Sequence, residues 1–415
     1  MPVFGMGDVA SMPKDRRPGP AGPAKLFLIA LSDSIGLGLI IPSLPALYGR
    51  AAGTDDVAMV FGLALGLTAV ANMLALPVLG ALGDRFGRRP LLVLSLVAMA
   101  VDSLVMAFVP VLPVLLVFRV LTGLTNATSP TLAASLADIT APEDRTRRFG
   151  YLNACYGAGL FVGPLAGGVL AEIRMEAPYI LAGVLALIGL LLALASSESR
   201  VRAMPEREPV VVNPLRHLLW IGAMGLAPLA LVYFAVRFSF ESPNVLWAIY
   251  TTERFGFTTS TIGLTMAVSG LFYAVVQLFL AGPVAARIGA TRTAMLGVGV
   301  DAVSMAVLAF TSAGWMIFPL LAPLSLGSIA MPALQSLMSG KVDGAQQGRL
   351  QGALGSIIAL ASAVSPLACG ALYAATSSSA VPGAAWLLPT AVYGLAISVW
   401  LMSRRRGMAG ARVEA

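Results

Sequence analysis

Charge is scarce in this sequence. Asp, Glu, Lys and Arg together make up 11% of its 415 residues, where soluble domains carry roughly 25%. That is too little to cover a large soluble core, so a soluble globular fold is excluded. Histidine occurs once, at His217, and cysteine twice, at Cys155 and Cys369. These are too few ligands for a metal centre and leave no Ser/His/Asp set or metal-ligand group for a membrane-embedded enzyme. Both cysteines fall in apolar stretches, which predicts no disulfide. His217 stands at the edge of a polar segment and reads as a solvated loop residue. The expectation is a protein that is not an enzyme and holds neither metal nor cofactor.

Long apolar runs take the place of charge. Hydrophobic residues make up 58% of the chain, and a helix needs roughly 20 of them to cross about 30 Å of hydrocarbon. Twelve such stretches are predicted, at 25–48, 58–80, 91–110, 113–137, 149–171, 178–197, 222–250, 261–283, 293–312, 315–339, 350–374 and 385–402. They are continuously apolar rather than alternating ten-residue segments, so helices are expected and not a barrel. The first two dozen residues are rich in Pro and Gly and lack the apolar core of a cleaved leader. They read as a short disordered tail.

The net charge of +7 is no nucleic-acid signature, because the basic residues are spread in small groups between the spans. With loops assigned to alternate sides, 22 of the 27 Lys and Arg residues fall on the side of the N-terminus. Three fall on the other side (Arg50, Arg174, Arg254) and two inside spans (Arg119, Arg237). The positive-inside rule then places both termini in the cytoplasm. A miscounted span would scramble this asymmetry.

A repeat runs through the chain at an offset of 202 residues. "GPLAGG" at 163–168 returns as "SPLACG" at 365–370, and Pro130, Arg147, Gly150, Arg85 and Gly87 return as Pro332, Arg349, Gly352, Arg287 and Gly289. The longest polar stretch between spans lies at the seam. The expected architecture is all-α and integral to the membrane, with two pseudo-symmetric six-helix bundles over 25–197 and 218–402. A linker over 198–217 joins them, and tails cover 1–24 and 403–415. A substrate then sits between the halves near the bilayer midplane.

Two segments stand out locally. "GALGDRFGRRP" (80–90) turns tightly between spans two and three, with Gly83 and Gly87 permitting the turn. Arg85, Arg88 and Arg89 hold it at an anionic leaflet, and Asp84 can cap the incoming helix or pair with an arginine. An ordinary positive-inside loop has the same composition. In the fifth span Gly159, Gly163, Gly167 and Gly168 line a smooth face for close helix contact, and Pro164 bends the helix. A plain packing face is the alternative there.

Three carboxylates, Asp33, Asp102 and Asp301, lie well inside spans. At 1.5 Å per residue each sits roughly 12–17 Å from the cytoplasmic end of its helix. A charge at the centre of a helix costs roughly 2.5–3.5 kcal/mol on insertion scales, so such acids mostly face a cavity and mark an ion or substrate path. Arg119 is the natural partner for one of them. Structural pairs or caps are the alternative, although one arginine cannot neutralise three separated acids. A carboxyl group in a cavity that opens to either side in turn can take up and release a proton. Arg237 and Glu241 are four apart in span seven and can pair along one helix face, towards the outer end by these boundaries. A structural pair and a role in the substrate pathway both remain open.

Gly80, Leu82, Asp84, Arg85, Gly87, Arg88 and Arg89 resemble the loop signature of the major facilitator superfamily, and "GPVAARIGATR" (282–292) stands where that superfamily repeats it. "RVLTG" (119–123) and "GAGLFVGPLAGG" (157–168) resemble its fourth-helix motif and the fifth-helix motif of its antiporter branch. The resemblance implies the major facilitator fold and a gating role for the loop, with Asp84, Arg88 and Asp138 forming a charge relay. "LSDSIGLGLIIPSLPAL", "LGDRFGRRPLL", "RVLTGLTNAT", "FGYLNACYGAGLFVGPLAGG" and "MPALQSLMS" narrow the likeness to the tetracycline/proton antiporters, over nearly the whole chain. This implies an inner-membrane exporter that works as a monomer, with a multidrug or metabolite exporter of the same superfamily, or a nutrient symporter, as the alternative. Its partners would be protons, the lipid bilayer and an amphipathic drug, with any divalent cation carried by a tetracycline as cargo. It also implies that Asp33, Asp102 and Asp301 are essential acids of the path and that Gln277 is a polar cavity residue, with Asp301 the leading proton carrier. The chain departs from that family at Tyr273, where the family has a histidine concerned with proton coupling. It departs again at Arg237 and Glu241, where the family carries neutral polar residues.

Overall fold

A computed structural model describes residues 21–53, 57–140, 144–195, 214–343, 346–377 and 381–413. Among them the chain is helical, with no strand. Eleven helices are long and apolar enough to cross a membrane. In chain order these are α1 (Pro23–Ala52), α2 (Val57–Gly83), α3 (Arg88–Phe108), α4 (Leu112–Asp138), α5 (Arg147–Ile173) and α6 (Ala177–Leu194), followed after the seventh by α8 (Thr259–Ile288), α9 (Ala290–Ala309), α10 (Gly314–Ser339), α11 (Arg349–Thr376) and α12 (Gly383–Ser403). The twelfth long helix, α7 (Ala227–Phe255), lies where the seventh span is predicted but starts five residues later. Arg237 and Glu241 keep it from being apolar enough by composition alone. The shift moves those two residues from the outer end to the middle of the helix.

Glycine and proline punctuate the two halves alike. Gly87 (φ 99°) and Gly289 (φ 81°) each precede a helix with a positive φ that side-chain-bearing residues avoid. Gly53 and Gly256 close α1 and α7 in the left-handed conformation. Pro164 and Pro366 both sit inside helices, α5 and α11. Helix formation begins at Ala21, inside the stretch expected as a tail, and Pro214–Ala223 forms a short helix within and beyond the stretch expected as a linker. His217 lies in that helix, and its side chain is outside the described residues. Cys155 and Cys369 are both free thiols.

The halves meet chiefly along two helix pairs, α2 with α11 and α5 with α8. Each contact is backbone on backbone at the end that carries Gly53, Arg174 and Gly256. A Cβ on Gly62 would lie 2.6 Å from the Pro366 carbonyl, and one on Gly370 would lie 2.5 Å from the Ala58 carbonyl. Gly168 lies against Thr259 and Ser260, and Gly263 against the Pro164 carbonyl. The Glu172 carboxylate seals this end further by accepting the Ser260 N–H at 3.1 Å. Towards the opposite end the same faces separate. Gly80, Gly157 and Gly355 follow from Gly62, Pro164 and Pro366 by whole turns, and a Cβ on any of them would meet nothing within 4 Å. The space between the halves is therefore shut at one face and open at the face of the N-terminus.

Candidate functional site

The two bundles hold their mid-span acids differently. Asp33 on α1 is half-buried and has no hydrogen-bond or ion-pair partner among the described residues. Its neighbours do not supply one. Ser32 donates to Ile29 O at 3.0 Å, and Ser34 to Leu31 O at 3.1 Å and Cys155 O at 3.2 Å. Tyr156 of α5 lies close enough to interact with Asp33 electrostatically. α1 can approach α5 this closely because Gly159, Gly163 and Gly167 face it. A Cβ on Gly163 would lie 2.6 Å from the Gly38 Cα.

Asp301 on α9 is held on several sides. Its Oδ2 accepts from Tyr393 Oη of α12 at 2.6 Å and from Ser239 Oγ of α7 at 3.1 Å. α10 passes it at Gly327, where a Cβ would lie 2.5 Å from that of Asp301. There α10 tightens into a 3-10 turn over Gly327–Ile329. Opposite, α8 widens into a π-helical turn over Val276–Leu280, from which Gln277 Nε2 donates to Ser328 O and Ser328 Oγ, both at 3.1 Å. Irregular turns of this kind inside long helices often mark hinges and functional sites. Gln277 and Asp301 thus grip the same short segment from two sides.

Asp102 is the acid that Arg119 neutralises. The pair joins α3 to α4 and is 1% and 8% exposed at the side chains, with Arg119 also donating to Met106 Sδ at 3.4 Å. Burial and pairing set Asp102 apart from the accessible space around the other two acids. A separate small cavity, bordered by Arg50, Met106, Glu176 and Tyr179, lies towards the closed face.

At the open face, Arg88 Nε lies 3.7 Å from Asp138 Oδ2. Arg89 donates to Leu194 O, and Lys25 Nζ to Ala195 O at 2.7 Å, so two cations cap the end of α6. Arg85 is exposed with its guanidinium 5.2 Å from the Phe86 ring centroid. Asp84 lies on the helix before this turn, and its side chain is outside the described residues, so its share in a relay with Arg88 and Asp138 is not described. Gly168 and Pro164 touch α8 across the boundary between halves, whereas Gly159, Gly163 and Gly167 pack within the first half.

Arg237 and Glu241 form an ion pair at 2.9 Å in the middle of α7, with side chains 17% and 14% exposed. The Arg237 guanidinium lies 5.0 Å over the Phe240 ring, and Phe240 in turn lies 6.2 Å from the ring of Tyr273. Sequence reasoning passed over Ser239, Ser328 and Tyr393. In membrane helices hydroxyls mostly bond their own backbone, so nothing in their spacing distinguishes the few that reach across.

Two six-helix halves sealed at one end, with one mid-span carboxylate left without a hydrogen-bond or ion-pair partner among the described residues, define a secondary transporter. The sequence model of the Major Facilitator Superfamily matches residues 26–226 and again 229–413. The chain is 40% identical to the tetracycline resistance protein of class C from Escherichia coli, over 90% of this chain and 94% of that one. It is 39% identical to the class G protein of Vibrio anguillarum over 90% and 95% of the two chains. Among solved structures, the human organic anion transporter MFSD10 (TETRAN) matches with a TM-score of 0.67 at 22% identity, over 94% of this chain and all of that one. The nucleoside transporter NupG matches with a TM-score of 0.76 at 11% identity, over 92% and 98%. These last two likenesses are of fold. The chain belongs to the Major Facilitator Superfamily and, within it, to the family of the tetracycline resistance proteins, and is a multi-pass membrane protein.

Proposed function

We propose that the protein is a proton-coupled antiporter of the inner membrane that exports a tetracycline or a related amphipathic antibiotic by alternating access. Both termini lie in the cytoplasm, the two bundles over 25–197 and 218–402 move as units, and the monomer is the working form. The observation that carries the reading is Asp33, a mid-span carboxylate with no hydrogen-bond or ion-pair partner among the described residues. A charge so placed and left unmatched is explained by an ion or substrate that visits it. Asp301 supplies the second titratable group in the other half. The described state is then the inward-facing one, with drug access from the cytoplasm or inner leaflet.

A cycle follows from these parts. The drug enters between the halves and displaces protons from the acids. Closure of the open face and parting of the Gly168/Thr259 and Gly62/Pro366 contacts then expose the site outside. Protons entering from outside reload Asp33 and Asp301, neutralise them, and permit return. Each proton moving inward releases roughly 2.3 kcal/mol per 100 mV of membrane potential. Arg88 and Asp138 close or loosen the cytoplasmic face as α2, α3 and α4 shift. A divalent cation accompanying a tetracycline travels as cargo.

The test is drug susceptibility in a host lacking its own pumps, joined to proton movement in everted vesicles. Tetracycline resistance and tetracycline-induced proton release are expected, and both should disappear in Asp33→Asn and Asp301→Asn. Wild-type export by both variants across a pH gradient would refute the coupling. Reporters fused after residues 200 and 405 should read cytoplasm and one after 175 the outside; opposite signals would refute the orientation. A second reading, export of a different or wider set of drugs, is favoured by the charged pair and Tyr273 in the wall of the site.

A further inference from the structure

α7 is buried almost all round, and one stripe is the exception. Arg237, Phe240, Glu241 and Asn244 recur at three- and four-residue spacing and so share a face. Phe240 and Asn244 are exposed at the middle of the helix. Tyr273 of α8 faces Phe240 and is 41% exposed. The two charges on this stripe differ in what they leave unused. Glu241 accepts three hydrogen bonds: Oε1 from Arg237 Nη2 and Ser362 Oγ, and Oε2 from Asn244 Nδ2, all at 2.9 Å. Arg237 spends only Nη2 on protein. Its Nε is buried without a partner, and its Nη1 has no acceptor among the described residues.

We propose that Arg237 recognises an anionic oxygen of the exported molecule, and that the site therefore selects planar aromatic compounds bearing an enolate, phenolate or carboxylate. Glu241 holds the guanidinium in place, and Phe240 and Tyr273 offer their faces to the ring system. Guanidinium donors in a fixed plane suit oxygen anions, and aromatic walls suit flat ligands. The carboxylate of the stripe, Glu241, is already paired with Arg237, so a cation meets no unpaired anion there. The inference deepens the export reading and rests on it for the direction of transport, although not for binding.

The experiment measures binding to the full-length protein in nanodiscs, with three fluorescent probes. Tetracycline and fluorescein carry anionic oxygens; ethidium is planar and cationic and carries none. The double variant Arg237→Gln/Glu241→Gln removes both charges and leaves neither one buried alone. It is expected to weaken tetracycline and fluorescein binding by at least about tenfold, the loss of a charge-assisted hydrogen bond, with ethidium within about twofold. Arg237→Gln alone should weaken tetracycline and fluorescein binding in the same way. Unchanged affinity for tetracycline and fluorescein would overturn the proposal. So would an equal loss of all three probes in a protein that melts like wild type, which would assign the pair to structure. Arg237-dependent binding of fluorescein without any binding of tetracycline would sustain this inference while defeating tetracycline as the substrate.

Discussion

Replacing Asp102 and Asp33 by asparagine should have very unequal consequences for stability, although both are mid-span acids of the same bundle. Asp102 and Arg119 are 1% and 8% exposed at their side chains and paired to one another. Asp102→Asn leaves the guanidinium buried without its counter-charge, and breaking such a pair costs about 3–5 kcal/mol. Asp33 has no hydrogen bond or ion pair to lose among the described residues. Asn is nearly isosteric, so Asp33→Asn should change stability by less than about 1 kcal/mol, the size expected where no cavity, cap or pair is disturbed. The assay is denaturant titration in mixed micelles, followed by the fluorescence of the five tryptophans. A control separates charge from shape. Asp102→Asn with Arg119→Met removes both members of the pair and should recover most of the loss, because neutral replacement of a buried pair is often tolerated. Equal destabilisation by Asp33→Asn and Asp102→Asn would refute the distinction between an open acid and a sealed one.

The seal at the closed face should be sensitive to any added side chain. Gly168→Val and Gly263→Val put side chains where backbone now touches backbone, costing about 1–3 kcal/mol of the closed state, and spin labels at that face should report wider separations while drug export falls. Tyr393→Phe removes the 2.6 Å hydrogen bond to Asp301; the pH dependence of drug-induced proton movement should shift with protein level unchanged, and an unaltered profile would leave Tyr393 a packing residue. Tyr273→Phe should change drug preference while proton movement persists, since a phenol keeps its proton at cellular pH and does not carry protons; loss of proton movement with binding intact would place Tyr273 on the coupling path.

The helical architecture was legible because the hydrocarbon thickness sets a length, and runs of that length are plain to read. The register of α7 was not. Its apolar content is diluted by Arg237, Glu241 and Asn244, so a hydropathy boundary drifts towards the preceding Leu-rich segment, which instead forms the short helix Pro214–Ala223. The site was half legible. Charged side chains inside spans announce themselves by their cost, and Asp33, Asp102, Asp301 and Arg119 were found that way. Which acid Arg119 would choose depends on how α3 faces α4, and that orientation is a matter of packing. The hydroxyls around Asp301 were silent for a different reason. Serine and tyrosine cost little in a helix whether or not they reach across it.

The crowding of donors around Glu241 bears on how the protein is built, before it transports anything. α7 must enter the bilayer carrying Arg237 and Glu241, and central charges cost roughly 2.5–3.5 kcal/mol each on insertion scales. Pairing them four residues apart lowers that cost within the helix itself. One of the donors that satisfies the carboxylate, Ser362, belongs to α11 and is synthesised 121 residues later. Until α11 arrives, the newly made α7 holds a polar stripe that lipid cannot satisfy. The carboxylate thus gains its third donor only once α11 is in place, which ties the polar stripe of α7 to the assembly of the second half.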